Sequence, residues 1–312
     1  MGNAGNFYPI GTAGVPWQDA EISAWRNRLR RTRYYQDDVL GALSELWSEF
    51  DSEQYGQLDY GAYVYPLFGL KSKHWDEALP VLVVTGGTHG NETSGVRGAL
   101  GFARDHAKAY AGRANVVVVP CVNPWGYEFL QRWDPLAEDP CRSCSDTAAA
   151  PEGVALWRFL SAWSQQVLVH VDLHETSATD GTEFGAAAAA RAGKTSHEPE
   201  GAADGFYVCA CPGDPRLDFQ RAVVDAVAAV APIATVYGNH ACAGFRPVAR
   251  GVIQCPDDRT AWCAAATKPR VATLTHVCRA SASGPAGAPD DCDRTQALAV
   301  CAAFDYALSQ GR

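Results

Sequence analysis

Long apolar runs and an excess of positive charge are both missing from this sequence of 312 residues. No apolar stretch approaches the roughly 20 residues that a transmembrane helix needs, so no membrane partner is expected. The formal net charge is −9 at pH 7, which disfavours binding to nucleic acid or to an anionic membrane surface. The amino terminus has neither the basic region nor the apolar core of a signal peptide, so a cytoplasmic location is expected.

Two sequence signatures are also absent. No Gly-x-Ser-x-Gly motif occurs, which disfavours a hydrolase built around a serine elbow. The eleven cysteines include one Cys-x-x-Cys pair, Cys141 and Cys144, and no second pair that would complete a structural zinc site. An odd count leaves at least one thiol unpaired in a monomer, and without a signal peptide we expect reduced cysteines.

The order of strand and helix patterns favours one large α/β domain. Apolar strand patterns lie at 81–84, 116–119 and 167–171, and helical patterns lie at 94–110 and 154–166. Such alternation is typical of a sheet with helices on both faces, so we predict a mixed, mainly parallel central sheet. Residues 1–75 are predicted to be an N-terminal extension with the first elements of the same domain.

The most informative stretch is His89-Gly-Asn-Glu92, which follows the strand pattern at 81–84 and two glycines. A strand end fixes the backbone, and the glycines let it turn sharply. The imidazole and the carboxylate can then converge on one cation. Nitrogen and oxygen donors suit zinc, and a catalytic zinc usually takes three protein ligands and leaves one position for water.

The best candidate for the third ligand is His174, which follows the strand pattern at 167–171. Two strands that end side by side at the carboxyl edge of an α/β sheet would bring the ligands together. His170, Asp172 and His174 alternate, so on a strand they share one face. Asp172 is therefore placed to accept a hydrogen bond from a ligand imidazole and to fix its tautomer. The sequence predicts one metal ion per chain, zinc by ligand type.

In this order the motifs resemble the zinc carboxypeptidases of the carboxypeptidase A superfamily, including its succinylglutamate desuccinylase and aspartoacylase branch. His89-x-x-Glu92 matches the family's ligand pair, and His174 matches the third ligand. Asn123-Pro-Trp-Gly-Tyr127 is similar to the family's Asn-Pro-Asp-Gly-Tyr segment. A bacterial-type subgroup also has Thr-Asp and Glu-Phe pairs, here Thr179-Asp180 and Glu183-Phe184. The resemblance covers most of residues 60–310, and it implies that residues 76–312 form a catalytic domain.

The resemblance implies a hydrolase that cleaves an amide bond next to a free carboxylate, with a peptide or an N-acyl amino acid as substrate. Zinc would activate a water and polarise the scissile carbonyl. Arg132 matches the arginine that stabilises the oxyanion. Arg142 matches the arginine that binds the substrate carboxylate, a task that suits a guanidinium because it can bind a carboxylate through two hydrogen bonds.

Two positions depart from the family's pattern. Cys141 stands where an asparagine binds the substrate carboxylate beside Arg142, and a thiol is a weak donor. His276 stands where the family has its general-base glutamate. Three alternatives follow: His276 is the base, it is a fourth ligand that closes the site, or peptidase activity has been lost. Glu175 and Glu183 are substitute carboxylates close in sequence to the third ligand.

Three functions therefore compete. The leading hypothesis is a zinc-dependent hydrolase, either a carboxypeptidase or a small-molecule deacylase. The alternative is a pseudoenzyme that binds a peptide or metabolite without cleaving it, which the residues at positions 141 and 276 favour. The third is a redox protein that uses Cys141 and Cys144. Turnover in the presence of zinc separates the first two, and thiol labelling before and after oxidation tests the third.

Overall fold

The computed structural model describes residues 7–176, 183–198, 205–211, 213–235, 246–254, 264–278 and 289–310. The strands are β1 (Phe50–Asp59), β2 (Val64–Ser72), β3 (Val81–Gly86), β4 (Asn115–Val119), β5 (Val167–Thr176), β6 (Phe206–Ala210), β7 (Arg246–Ala249), β8 (Val252–Gln254) and β9 (Val271–Cys278). The α-helices are α1 (Asp19–Arg28), α2 (Gly41–Glu45), α3 (Thr93–Asp105), α4 (Pro124–Phe129), α5 (Pro151–Ser161), α6 (Gly185–Arg191), α7 (Leu217–Val227), α8 (Ala264–Thr267) and α9 (Pro289–Gln310). Among the described helices, none combines the length and apolar character needed to span a membrane.

The strands form one sheet in the order β1-β2-β4-β3-β5-β9-β6-β8-β7. The pairings β4–β3, β3–β5, β5–β9 and β6–β8 are parallel. The other four pairings are antiparallel. The sheet is mixed, as predicted, but the expectation of a mainly parallel sheet is wrong. The parallel pairs are those of the centre and the β6–β8 pair. The rest are antiparallel, because β1 and β2 form a hairpin, whose short connection requires antiparallel strands, and β6 runs against β9.

Helices cover both faces of the sheet, as predicted. Successive side chains of a strand point to opposite faces, so the valine-rich strands β3 and β4 are buried at every position. Leu82 and Val84 belong to the core that contains Phe102 of α3 and Phe304 of α9. The neighbouring residues on the opposite face pack in a second core with Leu156 and Leu160 of α5. The central strands are therefore packed on both faces.

Residues before 75 contribute directly to this architecture. Strands β1 and β2 lie at one edge of the same sheet. Trp25 of α1 packs against Trp125 of α4, with ring centroids 5.9 Å apart, and against Trp133, at 5.7 Å. The N-terminal segment therefore supports the loop that follows α4. The division of the chain at residue 75 stays a prediction.

The register of the central strands places four polar residues, in two cross-strand pairs, at one edge. Thr85 of β3 pairs with Asp172 of β5, and His174 of β5 pairs with His276 of β9. Since these strands are parallel, their carboxyl ends meet at the same edge of the sheet, where open α/β sheets bind ligands.

Candidate metal centre

Close backbone packing explains the glycines around His89. The backbone turns at Gly87, which has a φ of +60°, a conformation that favours glycine. A Cβ atom on Gly90 would lie 1.9 Å from the carbonyl carbon of Gly126 in α4. No other residue fits at position 90 without moving the backbone. The turn after β3 and helix α4 thus form one unit, which presents His89 at the sheet edge.

Three side chains predicted as metal ligands converge at this edge. The Nδ1 atoms of His89 and His174 lie 3.1 Å apart. Glu92 Oε1 lies 2.7 Å from His89 Nδ1, and Glu92 Oε2 lies 2.7 Å from His174 Nδ1. Each side chain is at most 2% exposed. They form one of the two groups of donor atoms that could hold a metal ion within the part of the chain that the structure describes.

Two carboxylates contact the imidazoles of the predicted ligands at Nε2, on the side away from the cluster. His89 Nε2 lies 3.0 Å from Asp139 Oδ1, and His174 Nε2 lies 3.1 Å from Asp172 Oδ2. The Thr85 hydroxyl donates a hydrogen bond of 2.7 Å to Asp172 Oδ1. An imidazole that donates from Nε2 keeps its Nδ1 lone pair for a cation, so both rings are oriented for metal binding.

The charges of the cluster also fit a metal ion. Burial and the Arg132 guanidinium lower the pKa of His89, but the Glu92 and Asp139 carboxylates outweigh them and raise it to about 10. Burial raises the pKa of Glu92, yet the two imidazoles hold it well below its usual range. A cation bound at the Nδ1 atoms displaces protons from these rings. Two imidazoles and one carboxylate are a donor set that catalytic zinc accepts.

A second group of donors consists of Cys141, Asp172 and His174. The His174 and His89 side chains hydrogen-bond to the Cys141 thiol and lower its pKa, against burial, which raises it. A metal ion in this group would compete with the Asp172–His174 hydrogen bond that orients the first group. The first group is therefore the better metal site, and Cys141 contacts its ligands.

The loop after α4 brings both predicted arginines to the cluster. Arg132 Nη1 lies 3.5 Å from Glu92 Oε1, and Arg132 Nε donates to Asp139 Oδ2 at 3.2 Å. Arg142 Nε lies 3.7 Å from the same Asp139 oxygen, and the Arg142 side chain is 57% exposed. Arg132 thus lies beside a ligand, whereas Arg142 lies on the solvent side.

Comparison with known proteins gives this geometry a context. Residues 78–203 match the model of the succinylglutamate desuccinylase/aspartoacylase catalytic domain. No curated protein sequence matches the chain. A provisionally named metallopeptidase from Shewanella amazonensis SB2B is 22% identical, with a TM-score of 0.63 over 89% of this chain and 97% of that one. Carboxypeptidase A from Helicoverpa armigera is 11% identical, with a TM-score of 0.59 over 90% and 75% of the two chains.

The chain has the zinc carboxypeptidase fold. A further structure with this fold is the metallo-carboxypeptidase from Pseudomonas aeruginosa in complex with (2-guanidinoethylmercapto)succinic acid. It is 14% identical, with a TM-score of 0.56 over 88% of this chain and 70% of that one. The resemblance inferred from the order of motifs is confirmed, and the matched segment contains His89, Glu92 and His174.

Within the zinc carboxypeptidase fold, His276 lies beside the third predicted ligand. Its ring is nearly parallel to that of His174, with centroids 5.3 Å apart, and it stacks on Tyr207 at 4.7 Å. His276 Nδ1 lies 3.3 Å from Thr176 Oγ1, which lies 2.7 Å from the Tyr207 hydroxyl. Burial and the neighbouring His174 lower the pKa of His276 to about 3. His276 is a neutral imidazole and does not join the three-residue donor group in the described structure.

The two substitute carboxylates lie elsewhere. Glu175 points away from His174, as strand alternation predicts, and its Oε2 accepts a hydrogen bond of 2.9 Å from the backbone N–H of Ser94. Glu183 is exposed. The Thr179-Asp180 pair lies outside the described residues. His276 is therefore the predicted proton acceptor that the geometry keeps beside the cluster.

The sequence reasoning missed three residues of this site. Asp139 had a local signal, because an Asp-Pro pair starts a turn, and here Asp139 Oδ1 accepts from the backbone N–H of Cys141 at 3.0 Å. Thr176 follows His174 by two residues on the same strand face. Tyr207 reaches the site through its pairing with His276 across β6 and β9, which no local pattern reveals.

Proposed function

We propose that the protein is a zinc-dependent hydrolase that cleaves an amide bond next to a free carboxylate, in a peptide or an N-acyl amino acid. The observation that carries this proposal is the convergence of His89 Nδ1, His174 Nδ1 and both oxygens of Glu92, with contacts of 2.7 to 3.1 Å. The fold and the matched catalytic-domain segment support it.

The metal would be held by His89, Glu92 and His174. When bound, zinc supplies a Lewis acid that lowers the pKa of a water and polarises a carbonyl. Asp139 and Asp172 orient the two imidazoles from behind. The backbone N–H of Glu175 donates to Glu92 Oε2 at 3.1 Å, so this carboxylate also has a fixed orientation.

Arg132 is assigned to the developing oxyanion. Its guanidinium lies beside the ligand Glu92, and its bond to Asp139 fixes its direction. Donors that are oriented before the reaction stabilise developing charge without further reorganisation. Arg132 is thus a catalytic residue of the proposed reaction.

Arg142 is assigned to the free carboxylate of the substrate. It is more exposed than Arg132 and shares Asp139 with it, so the two guanidinium groups mark neighbouring positions along one ligand. The Pseudomonas aeruginosa neighbour binds a succinic acid derivative, which supports a carboxylate as the recognised group. Cys141, next to Arg142, contributes a weak donor at most, because its thiol is engaged with the ligand imidazoles.

His276 is assigned to proton transfer. Its Nδ1 atom contacts Thr176, which directs Nε2 as the acceptor of a proton from the attacking water. The His276 ring stacks between the rings of His174 and Tyr207, and these contacts hold it in one orientation.

A second candidate function is binding of the same ligand class without cleavage. The low pKa of His276, about 3, favours it, because a general base works best when its pKa lies near the operating pH. In that case the three ligands and the two arginines form a metal-containing receptor for a carboxylate.

Metal content and turnover test the proposal together. We expect one zinc per chain and hydrolysis of blocked dipeptides or N-acyl amino acids that stops on chelation and returns with zinc. The Glu92→Gln variant should lose both, whereas His106→Ala, at an exposed histidine directly after α3, should keep both. Zinc without turnover on any substrate would favour the receptor, and a protein that binds no zinc would refute both functions.

A further inference from the structure

A buried pair of carboxyl groups lies beneath the loop that carries the arginines. Asp134 belongs to this loop, and Glu152 lies in the first turn of α5; both are fully buried. Asp134 Oδ1 accepts backbone N–H bonds from Leu136 and Glu138, each of 2.8 Å. Glu152 Oε1 accepts a hydrogen bond of 2.7 Å from the Tyr60 hydroxyl. One oxygen of each carboxyl group is thus satisfied by an identified donor.

The remaining oxygens, Asp134 Oδ2 and Glu152 Oε2, have no such donor in the described structure, yet the two side chains lie within hydrogen-bonding reach of each other. Two ionised carboxylates cannot form that bond, because both are acceptors only. One shared proton satisfies both oxygens and removes one buried charge. Burial, with the negative charge of Asp134, raises the pKa of Glu152 to about 8, and burial raises that of Asp134 to about 7.

This pair joins α5 to both ends of the loop. Asp134 lies two residues after Arg132. At the other end, a Cβ on Gly153 would lie 1.8 Å from the carbonyl oxygen of Ser143, so the first turn of α5 is in backbone contact with the residue after Arg142. The segment between these contacts contains Asp139, which contacts both arginines.

We propose that Asp134 and Glu152 share one proton that clamps the loop of residues 131–143 onto α5, and that both are positioning residues for substrate carboxylate binding. The clamp is a property of the fold, and only its effect on the substrate rests on the proposed function. Loss of the proton leaves two buried negative charges side by side, which repel and loosen the loop.

Other charged or titratable groups surround the pair. They are Tyr60 after β1, Tyr65 of β2, Cys121 after β4, whose pKa is raised by burial and by negative charges that include Glu152, Glu138 in the loop, Arg191 of α6, which pairs with Glu138, and Arg26 of α1, which donates to Pro135 O. Burial raises the pKa of Tyr60 far above its usual value, so this phenol remains a donor. The group that titrates near neutral pH is the carboxyl pair.

The direction of the pH effect follows from the raised pKa of Glu152. Its folded-state value of about 8 lies above its ordinary value of 4.5, so the folded protein holds more protons than the unfolded chain between these values. Stability is therefore highest at the acidic side of this interval and falls as the pH rises through it. We expect the Michaelis constant for a carboxylate substrate to rise about tenfold from pH 7 to pH 9 as the pair ionises.

The Glu152→Gln variant tests the clamp. A glutamine keeps the acceptor for Tyr60 and provides a permanent N–H donor to Asp134, so it replaces the shared proton. With zinc bound, the thermal midpoint of this variant should stay within measurement error between pH 7 and pH 9, and its Michaelis constant should change less than twofold. In the wild type, the thermal midpoint should fall and the Michaelis constant should rise over the same interval. Asp225→Asn is the control, because it neutralises an exposed carboxylate of α7, outside the loop and α5, and should keep the wild-type slope.

An unchanged pH slope of stability in Glu152→Gln would overturn the proposal. If that variant does not fold, Asp134→Asn places the amide donor on the other partner and should flatten the same slope. Infrared spectroscopy of the wild type adds a direct test, because a protonated carboxyl band should be present at pH 7 and lost by pH 9; its absence at pH 7 would also overturn the clamp. Absence of turnover on every substrate would count against the proposed function, while the stability slope would still test the clamp.

Discussion

At the scale of single residues, His276 is the proposed proton acceptor, because it stacks on the third predicted ligand and neither Glu175 nor Glu183 lies beside it in the described structure. Because the pKa of His276 is lowered to about 3, a glutamate, with an ordinary pKa of about 4.3, would be the stronger base at this position. We expect His276→Glu to raise kcat about 100-fold, within the usual contribution of a general base. The measurement is kcat on a substrate that the wild type cleaves, at equal zinc content.

Thr176→Val is the matched variant for this test, because it keeps the shape of the side chain and removes the contact with His276 Nδ1. It should lower kcat in the wild-type background and have little effect on zinc binding. A loss of activity in His276→Glu would show instead that the imidazole has a role that a carboxylate cannot fill.

Substitution of Arg142 tests, at the same scale, substrate binding apart from the chemical step. Its side chain is largely exposed and lies at the solvent side of Asp139, so its removal should not destabilise the fold. We expect Arg142→Ala to raise the Michaelis constant about 10- to 100-fold with kcat nearly unchanged. The Michaelis constant of Arg142→Lys should lie between those of the wild type and Arg142→Ala, because an ammonium keeps the charge and loses the two-point contact. Equal Michaelis constants in the wild type and both variants would show that Arg142 does not bind the substrate.

At the scale of elements, the turn after β3 and helix α4 depend on a glycine contact. Gly90→Ala would drive a methyl group into the backbone of Gly126, so we expect it to destabilise the protein by about 3 kcal/mol and to weaken zinc binding. Gly101→Ala in α3 is the control. Nothing lies within 4 Å of its added Cβ, and alanine in a helix should stabilise by about 0.5–1 kcal/mol. Denaturant unfolding and metal titration of both variants test the contact; similar stability of the two would contradict it.

Elements whose pattern is local could be predicted from the sequence. The strand before His89 and the strand that carries His174 are marked by apolar runs, and the glycines after β3 indicate the turn. The three predicted ligands and Asp172 could therefore be assigned to one sheet edge before the fold was known. Tyr207 could not, because it reaches His276 through an antiparallel pairing between β6 and β9. The carboxyl pair could not either, since its members are 18 residues apart in sequence and become neighbours only when α5 packs beneath the loop.

At the scale of the whole molecule, the order of the strands explains both the success and the error of the predicted sheet. The βαβ units of the centre have alternating strand and helix patterns, so the parallel pairs and the helices on both faces could be inferred. The edges are made by the β1–β2 hairpin and by β6, β7 and β8, whose directions depend on long-range pairing. The site lies at the parallel centre, which is why its position was predictable although the full topology was not.

The proposed metal site would link this centre to the stability of the whole molecule. His89 and Glu92 lie between β3 and α3, and His174 lies on β5. Zinc that binds only this folded arrangement would stabilise it by mass action. With free zinc at about 100 times its dissociation constant, the gain is about 2.7 kcal/mol. We therefore expect chelation to lower the thermal midpoint of the wild type by several degrees, at about 2–4 °C per kcal/mol or somewhat less for a chain of this length.

Calorimetry with and without chelator measures this shift, and added zinc should restore the original midpoint. In Glu92→Gln the shift should be small, because a neutral amide replaces the one anionic ligand, whereas His106→Ala should respond as the wild type does. A wild-type midpoint that does not depend on zinc would mean that the three side chains hold their geometry through Asp139 and Asp172 alone. Since the Nδ1 atoms of His89 and His174 lie 3.1 Å apart beside the Glu92 carboxylate, a bound cation would be contacted by all three side chains, and we expect the zinc-dependent result.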